Sequence, residues 1–268
     1  MSTEAAFTVT LQDAAPLREL IGAATATLKE VGFNVDDSGL TIYQMDDEHV
    51  NLVDAYIPSN IFDEWSLETA GTIRLNVQEL KRMLDKVMKG EVMILEANPG
   101  KERLYMRLRE PGKRSSRKFD LKLLEPYIEE VPSPTLIYKV VTTIKVASLL
   151  EAVKDVLLVT DFLRIRATPD LFEVYGEGDK GYAYNTWSIG EEGLIRHSVE
   201  EETDSTYDVD KFMDLVNPCR GAAEKVTIRL SHNMPLHLEY EVKGGTATKL
   251  TMLKERPRLN FYLAPMVV

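Results

Sequence analysis

The chain has 268 residues, 44% of them hydrophobic and 28% charged, enough to bury a sizeable core in one large or two ordinary domains and unlike a disordered or fibrous composition. A formal net charge of -11 gives no overall attraction to nucleic acid. The single cysteine, Cys219, excludes a disulfide framework and a cysteine-based zinc site and suits a reducing cytosol, and neither a targeting core in MSTEAAFTVTLQD nor a run of 18 apolar residues is present.

In chain order, AFTVTL reads as a strand, after which Leu17, Leu20, Ile21, Ala24 and Leu28 recur at helical spacing, with Pro16 suited to the first turn and Gly32 to the exit. Residues 31–58 predict two strands around a turn at DDSG, with a short break near Asp46–Glu48. TIRLN then leads to a cap at Asn76 and a helix through about Met88, ending near Gly90. VMILEAN and RLYMRLRE follow as strands around NPGK.

The second half repeats this order. A helix carries Val146, Leu149, Leu150 and Val153 on one face, and two strands follow in RIRATPDLFEVYGEG. A fourth helix has the stripe Val209, Phe212, Met213 and Val216, with Pro218 near its end; a hairpin around SHNMP and the final strand LNFYLAPMVV complete the chain. Four short amphipathic helices, each followed by paired strands, predict an internally duplicated α+β architecture. The short strand-to-strand turns disfavour a doubly wound parallel sheet. EPYIEEVPSP, with three prolines and three glutamates, predicts an exposed connector at 125–134 between domains 1–124 and 135–268.

Charge is unevenly placed. Residues 101–118 carry eight basic and two acidic side chains, whereas residues 191–210 carry eight acidic and one basic. The two stretches read either as solvated edges or as complementary parts of subunit contacts in an oligomer. On the helices, Arg82, Lys86 and Lys89 fall on one stripe opposite Leu80, Leu84 and Val87. Arg18 and Lys29 belong to a small, mildly positive face of the first helix; Lys145 and Lys154 come from the third, and Lys211 and Arg220 from the fourth, diluted by Asp208, Asp210 and Asp214. Such rows are either solvated faces or, if they converge, salt-dependent phosphate contacts without a base code.

The phosphate-loop, zinc-protease and nucleophile-elbow motifs are absent. Asp46, Asp47, Glu48 and His49 invite a metal reading, but adjacent side chains in an extended or turning segment diverge, so their succession does not make a site. His197, His232 and His237 have no spacing that compels one. A better lead is apolar: Met45, Val50 and Leu52 around the acidic run, Val131 in the connector, Met234, Pro235 and Leu236 in a turn, and Tyr262 to Pro265 near the end. These residues either close the core or stay exposed as a patch for an extended peptide.

GLTIYQMDDEHVNLVDAYIP, residues 39–58, resembles the DNA sliding clamps of the proliferating cell nuclear antigen family, especially archaeal ones. IRLNVQELKRMLDKV, RIRATPD, NMPLHLEYEV and the terminal YLAP extend the resemblance over nearly the whole chain. The resemblance implies a clamp fold of two similar domains, each with antiparallel sheets and two helices. It implies three subunits joined by edge-strand pairing in a ring around double-stranded DNA. Such a ring is a processivity factor with no cofactor, metal or chemistry of its own, loaded by an ATP-dependent clamp loader, outside membranes and, in an archaeon, in the cytoplasm on the nucleoid.

On this sequence the lining candidates are Arg18, Lys29, Arg82, Lys86, Lys89, Lys145, Lys154, Lys211 and Arg220. The candidates for binding a short hydrophobic and aromatic peptide are Met45, His49, Val50, Leu52, Val131, Pro235, Tyr262, Ala264 and Pro265. DNA polymerase, flap endonuclease and DNA ligase are the implied clients. The alternatives are a peptide-binding scaffold that does not encircle DNA and a metal-dependent enzyme. One departure is the connection from Lys243 to Arg258, longer than the family's usual one.

Overall fold

The computed structural model describes residues 4–127, 130–132, 135–243 and 255–266. Most of the long connection, residues 244–254, lies outside them, as do 128–129 and 133–134 of the 125–134 connector. Two compact units emerge. One takes in the chain up to Asp47, Val53–Val131 and Lys243–Arg258; the other takes in Glu48–Leu52, Pro132–Val242 and Leu259–Val268.

In the first unit β1 (Ala6–Leu11) alternates strictly, sending Phe7, Val9 and Leu11 into the core. The chain continues through α1 (Ala15–Ala24), β2 (Glu30–Asp36), β3 (Gly39–Met45), β4 (Asn51–Pro58), β5 (Glu64–Thr69), β6 (Gly71–Asn76) and α2 (Val77–Leu84). It ends with β7 (Val92–Asn98), β8 (Arg103–Arg109) and β9 (Arg117–Lys122). One antiparallel sheet has the order β5-β1-β7-β8-β9, and β4-β3-β2-β6 run side by side in another. The DDSG turn joins β2 to β3, and only glycine fits at Gly39. Its φ is +147°, and a Cβ there would run into the Ile57 carbonyl oxygen.

The second unit holds β10 (Val140–Lys145), α3 (Val146–Leu157), β11 (Phe162–Ala167), β12 (Leu171–Gly178), β13 (Gly181–Ser188), β14 (Leu194–Val199) and β15 (Thr203–Asp208). There follow α4 (Val209–Val216), α5 (Cys219–Ala222), β16 (Ala223–Leu230), β17 (Leu236–Val242) and β18 (Arg258–Leu263). Its strands are ordered β13-β12-β11-β15 in one sheet and β14-β10-β16-β17-β18 in the other. In both units helices follow strands without a linking loop: α2 begins after Asn76, α3 after Lys145 and α4 after Asp208. Asn76 Oδ1 accepts the Glu79 N–H at 3.1 Å and Asp208 Oδ1 accepts the Lys211 N–H at 3.0 Å, so the entrances of α2 and α4 are capped as their side chains predict. The architecture is α+β, with antiparallel sheets and short helices buried along one stripe, such as Leu149, Leu150, Val153 and Val156 of α3.

The first two helices are shorter than their apolar spacing predicts. α1 stops at Ala24, where Thr25 Oγ1 donates to the Ile21 carbonyl at 2.8 Å, and Gly32 sits inside β2 rather than at a helix exit. α2 stops at Leu84, and the fourth helix divides, α5 beginning after Pro218. Pro218 has no N–H to continue the ladder of α4 but suits the start of a new turn.

Candidate DNA-lining cations and peptide-docking surface

In the first unit α2 buries Val77, Leu80, Met83 and Leu84 and leaves Arg82 exposed. Beyond it, Lys86 donates its N–H to the Met83 carbonyl at 3.1 Å and Val87 to that of Leu84 at 2.9 Å, so the backbone tightens and Lys86 and Lys89 lie in the turn past the helix. Both are exposed. Arg82, Lys86 and Lys89 therefore do not share one helical stripe, although none of the three has an ion-pair partner among the described residues.

Arg18 does something different. Its Nη1 donates to the Val87 carbonyl at 2.9 Å and its Nη2 pairs with Glu19 at 2.5 Å, while Arg117 Nη2 donates to the Lys86 carbonyl at 2.8 Å. Two guanidinium groups thus satisfy carbonyls just beyond the C-terminus of α2, where the helix dipole favours positive charge.

Four further lining candidates sit in exposed or half-exposed ion pairs. Lys29 meets Asp47 at 2.6 Å, Lys145 meets Glu192 at 3.0 Å, Lys154 meets Glu151 at 2.8 Å and Lys211 meets Glu48 at 2.7 Å. Exposed pairs of this kind are worth about 0–1 kcal/mol, so a phosphate can displace the carboxylate. Lys145 is the residue before α3 rather than part of it, and Arg220, exposed, belongs to α5. Asp47 and Glu48 thus turn to different lysines while Asp46 is buried, which separates the consecutive acids that invited a metal reading. Among the described residues no group of three potential ligands is placed to hold a metal ion.

The second unit gathers most of the apolar candidates. β17 and β18 set His237 opposite Tyr262, and the two rings stack at 4.5 Å between centroids. Tyr138 lies 6.0 Å from the same imidazole. Within the same unit the Ala264 N–H donates to the carbonyl of Val50, the residue after His49, at 3.0 Å. His49 turns the chain there with φ +56°, a left-handed conformation that side chains other than glycine adopt at a cost. His49 is exposed; Val50, Pro235, Tyr262, Ala264 and Pro265 are half-buried. Leu52 is buried and belongs to the core beneath. Met45 and Val131, both half-buried, belong to the first unit.

Two contributors escape sequence reading. Tyr138 follows the proline-rich connector, and only its aromatic character marks it. Met266 donates its N–H to the Thr206 carbonyl at 2.8 Å, a backbone contact with no side-chain signature. Burial pushes the Tyr138 hydroxyl far above the usual tyrosine range, so it stays protonated.

Among the described residues no helix is long and apolar enough to cross a membrane. The sequence pattern of the proliferating cell nuclear antigen N-terminal domain matches residues 6–130. The DNA polymerase sliding clamp of Pyrococcus horikoshii is 30% identical over 261 residues, 97% of this chain and 98% of that one. The DNA polymerase sliding clamp of Thermococcus fumicolans is similar to the same extent. The fold is shared with crystal structures of proliferating cell nuclear antigens from Thermococcus kodakaraensis and Entamoeba histolytica. Each is 23% identical with a TM-score of 0.85; the alignments cover 97% and 98% of this chain and all of the other. By end-to-end likeness this chain belongs to the proliferating cell nuclear antigen family of DNA sliding clamps, scaffolds without catalysis of their own.

Proposed function

We propose that this protein is a processivity factor that closes as a ring of three subunits around duplex DNA and tethers replication and repair enzymes by short peptide motifs. The observation that carries this reading is the likeness to sliding clamps along 97% of the chain. The repeating domains are taken as 1–124 and 135–268, joined by the 125–134 connector. Ring closure is assigned to two free sheet edges of opposite charge. β9 ends the five-stranded sheet next to Lys113 and Arg114, and β13 ends the four-stranded sheet beside Glu173 and Glu177 of β12.

A closed ring holds DNA by topology, so its cations need only neutralise phosphates transiently, and weak contacts permit sliding. Arg82, Lys86 and Lys89, exposed and without an ion-pair partner among the described residues, are the strongest lining candidates; Lys29, Lys145, Lys154, Lys211 and Arg220 support them. Arg18 acts mainly by holding the turn that carries Lys86 and Lys89. Peptide docking is assigned to Met45, His49, Val50, Val131, Pro235, Tyr262, Ala264 and Pro265, with Leu52 supporting them from below. A tethered polymerase gains effective concentration at the primer end. The partners are double-stranded DNA, a clamp loader that supplies ATP hydrolysis, and DNA polymerase, flap endonuclease and DNA ligase. The site of action is the cytoplasm, on the nucleoid in an archaeal cell.

Reversing Arg82, Lys86 and Lys89 to glutamate tests the reading in loader-dependent primer extension on a circular template. Synthesis should fall about tenfold or more while the native mass stays that of a trimer. Unchanged synthesis removes these residues from the lining. A native mass of one subunit removes the ring and leaves the peptide-binding scaffold.

A further inference from the structure

The face of the five-stranded sheet that points away from the core carries a hollow of about 490 Å³, lined by Thr8, Ile94, Glu96, Lys101, Tyr105, Arg107 and Lys118 among others. Strand register explains why these residues meet. Thr8, Glu96, Tyr105 and Asp120 form one cross-strand row, and Thr10, Ile94, Arg107 and Lys118 form the next. Lys101 reaches back over the Tyr105 ring, with Nζ 5.8 Å from its centroid.

Arg107 and Lys118 stand directly opposite each other across β8 and β9. Like charges at such positions destabilise a sheet. Several other cross-strand cations are matched by carboxylates: Arg166 with Glu173 at 3.7 Å, Lys225 with Glu241 at 3.6 Å, and Arg103, which stands opposite Lys122, with Asp120 at 3.3 Å. Even Lys145 and Lys225, which also oppose each other, each hold a carboxylate. Among the described residues Arg107 and Lys118 hold none, and both are exposed. Glu96 shares the hollow but pairs with none of its cations among the described residues, so a repulsive pair kept beside a third cation, in a chain of net charge -11, is complementary to an anion from outside the chain.

We propose that this hollow is a second docking site, separate from the apolar peptide surface, which takes an acidic polypeptide segment bearing an apolar or aromatic side chain. Carboxylates of the partner meet Lys101, Arg107 and Lys118, and its apolar group lies against Ile94 and Tyr105, both half-buried. The charge pattern favours a polypeptide over a nucleic acid strand. Glu96 lies within the hollow and Asp120 in the same row, where they would repel regularly spaced phosphates, whereas carboxylates on a peptide can be spaced around them. Every residue named belongs to the first unit, and Lys101 and Arg107, on which the test rests, lie outside β9 and the Lys113 to Lys118 stretch next to the ring-closing edge.

The test uses the full chain and a fluorescein-labelled synthetic peptide rich in glutamate and tyrosine, with fluorescence anisotropy at low salt. Labelled oligothymidylate is measured in parallel. The peptide should bind, release as salt rises, and lose about tenfold or more in affinity in the Lys101→Glu, Arg107→Glu double variant. Val50→Ala, in the other unit, should leave it unchanged. Both substituted cations are exposed, so the fold is expected to persist, and circular dichroism checks this. Absent peptide binding, binding unaltered by the double variant, or tighter binding of oligothymidylate than of the peptide overturns the proposal. So does a change of native mass in the double variant, which would assign the hollow to contact between copies of the chain.

Discussion

At the scale of residues, function depends on which side chains remain free after the fold has taken its share. Nine cations read alike in the sequence, yet Arg18 is drawn to the Val87 carbonyl while Arg82, Lys86 and Lys89 stay in solvent. The apolar candidates divide in the same way: Leu52 is buried, but Val50 and Tyr262 are only half-buried. Burying an apolar side chain is worth about 1.5–3 kcal/mol, so truncating two should be plain in an affinity. Replacing Val50 and Tyr262 together by alanine is expected to weaken a synthetic client peptide, with hydrophobic and aromatic anchors, by at least about tenfold, or 1.4 kcal/mol. Isothermal titration calorimetry reads this directly. Native affinity in a folded variant would remove both from the docking surface.

At the scale of elements, edge strands need anchors because one of their sides has no neighbour. β9 is held by Arg117, whose Nη2 donates to both Glu91 carboxylate oxygens at 2.7 and 2.8 Å as well as to Lys86. Burial pushes the Glu91 carboxyl up, but the Met88 N–H at 2.9 Å and the Arg117 guanidinium outweigh it and hold the group below the ordinary 4.5. Because the folded carboxyl titrates below its unfolded value, its stabilisation is complete above about pH 4.5 and is lost as pH falls through the lower folded value. Arg117→Ala is expected to cost about 1–2 kcal/mol at neutral pH, allowing for the solvent exposure of Arg117, and to flatten the acid limb of stability against pH. Urea unfolding across the acid range measures both; an unchanged acid limb would dismiss the pair as an anchor.

Edge position also explains what the hydrophobic pattern hides. β5, β9, β13, β14 and β15 all end their sheets, and none stands out in the sequence. EWSLET and RKFDLK are exposed or half-exposed throughout, so no alternation of buried residues marks them. β15 does alternate, but it buries Thr203 and Ser205 beside Tyr207, and small hydroxyl side chains carry little hydrophobic signal.

At the scale of the whole molecule, the acidic total of -11 conceals a basic segment at 101–118 and an acidic one at 191–210. If Lys113 to Lys118 face Glu173 to Asp179 of a neighbouring copy, raising salt should screen the attraction, since the Debye length falls from about 10 Å at 0.1 M to about 3 Å at 1 M. The trimer is then expected to dissociate at lower dilution as salt increases, which analytical ultracentrifugation follows. Dissociation independent of salt would assign the contact to apolar packing.

Apart from β10, whose TTIK reads as the start of a helix, the sequence by itself determined the order of most buried strands and helices, the cap at Asn76, and the glycine at the β2–β3 turn. Each of these depends on residues within a few positions of one another, and local periodicity and cap chemistry report such relations. Tertiary structure alone decided that α2 stops before Lys86 and Lys89, that Arg18 serves a turn 69 residues away, and that Arg107 and Lys118 oppose each other with no carboxylate partner among the described residues. A partner far along the chain leaves no trace in local spacing, so which charges are satisfied and which remain free emerges only when the strands are laid side by side.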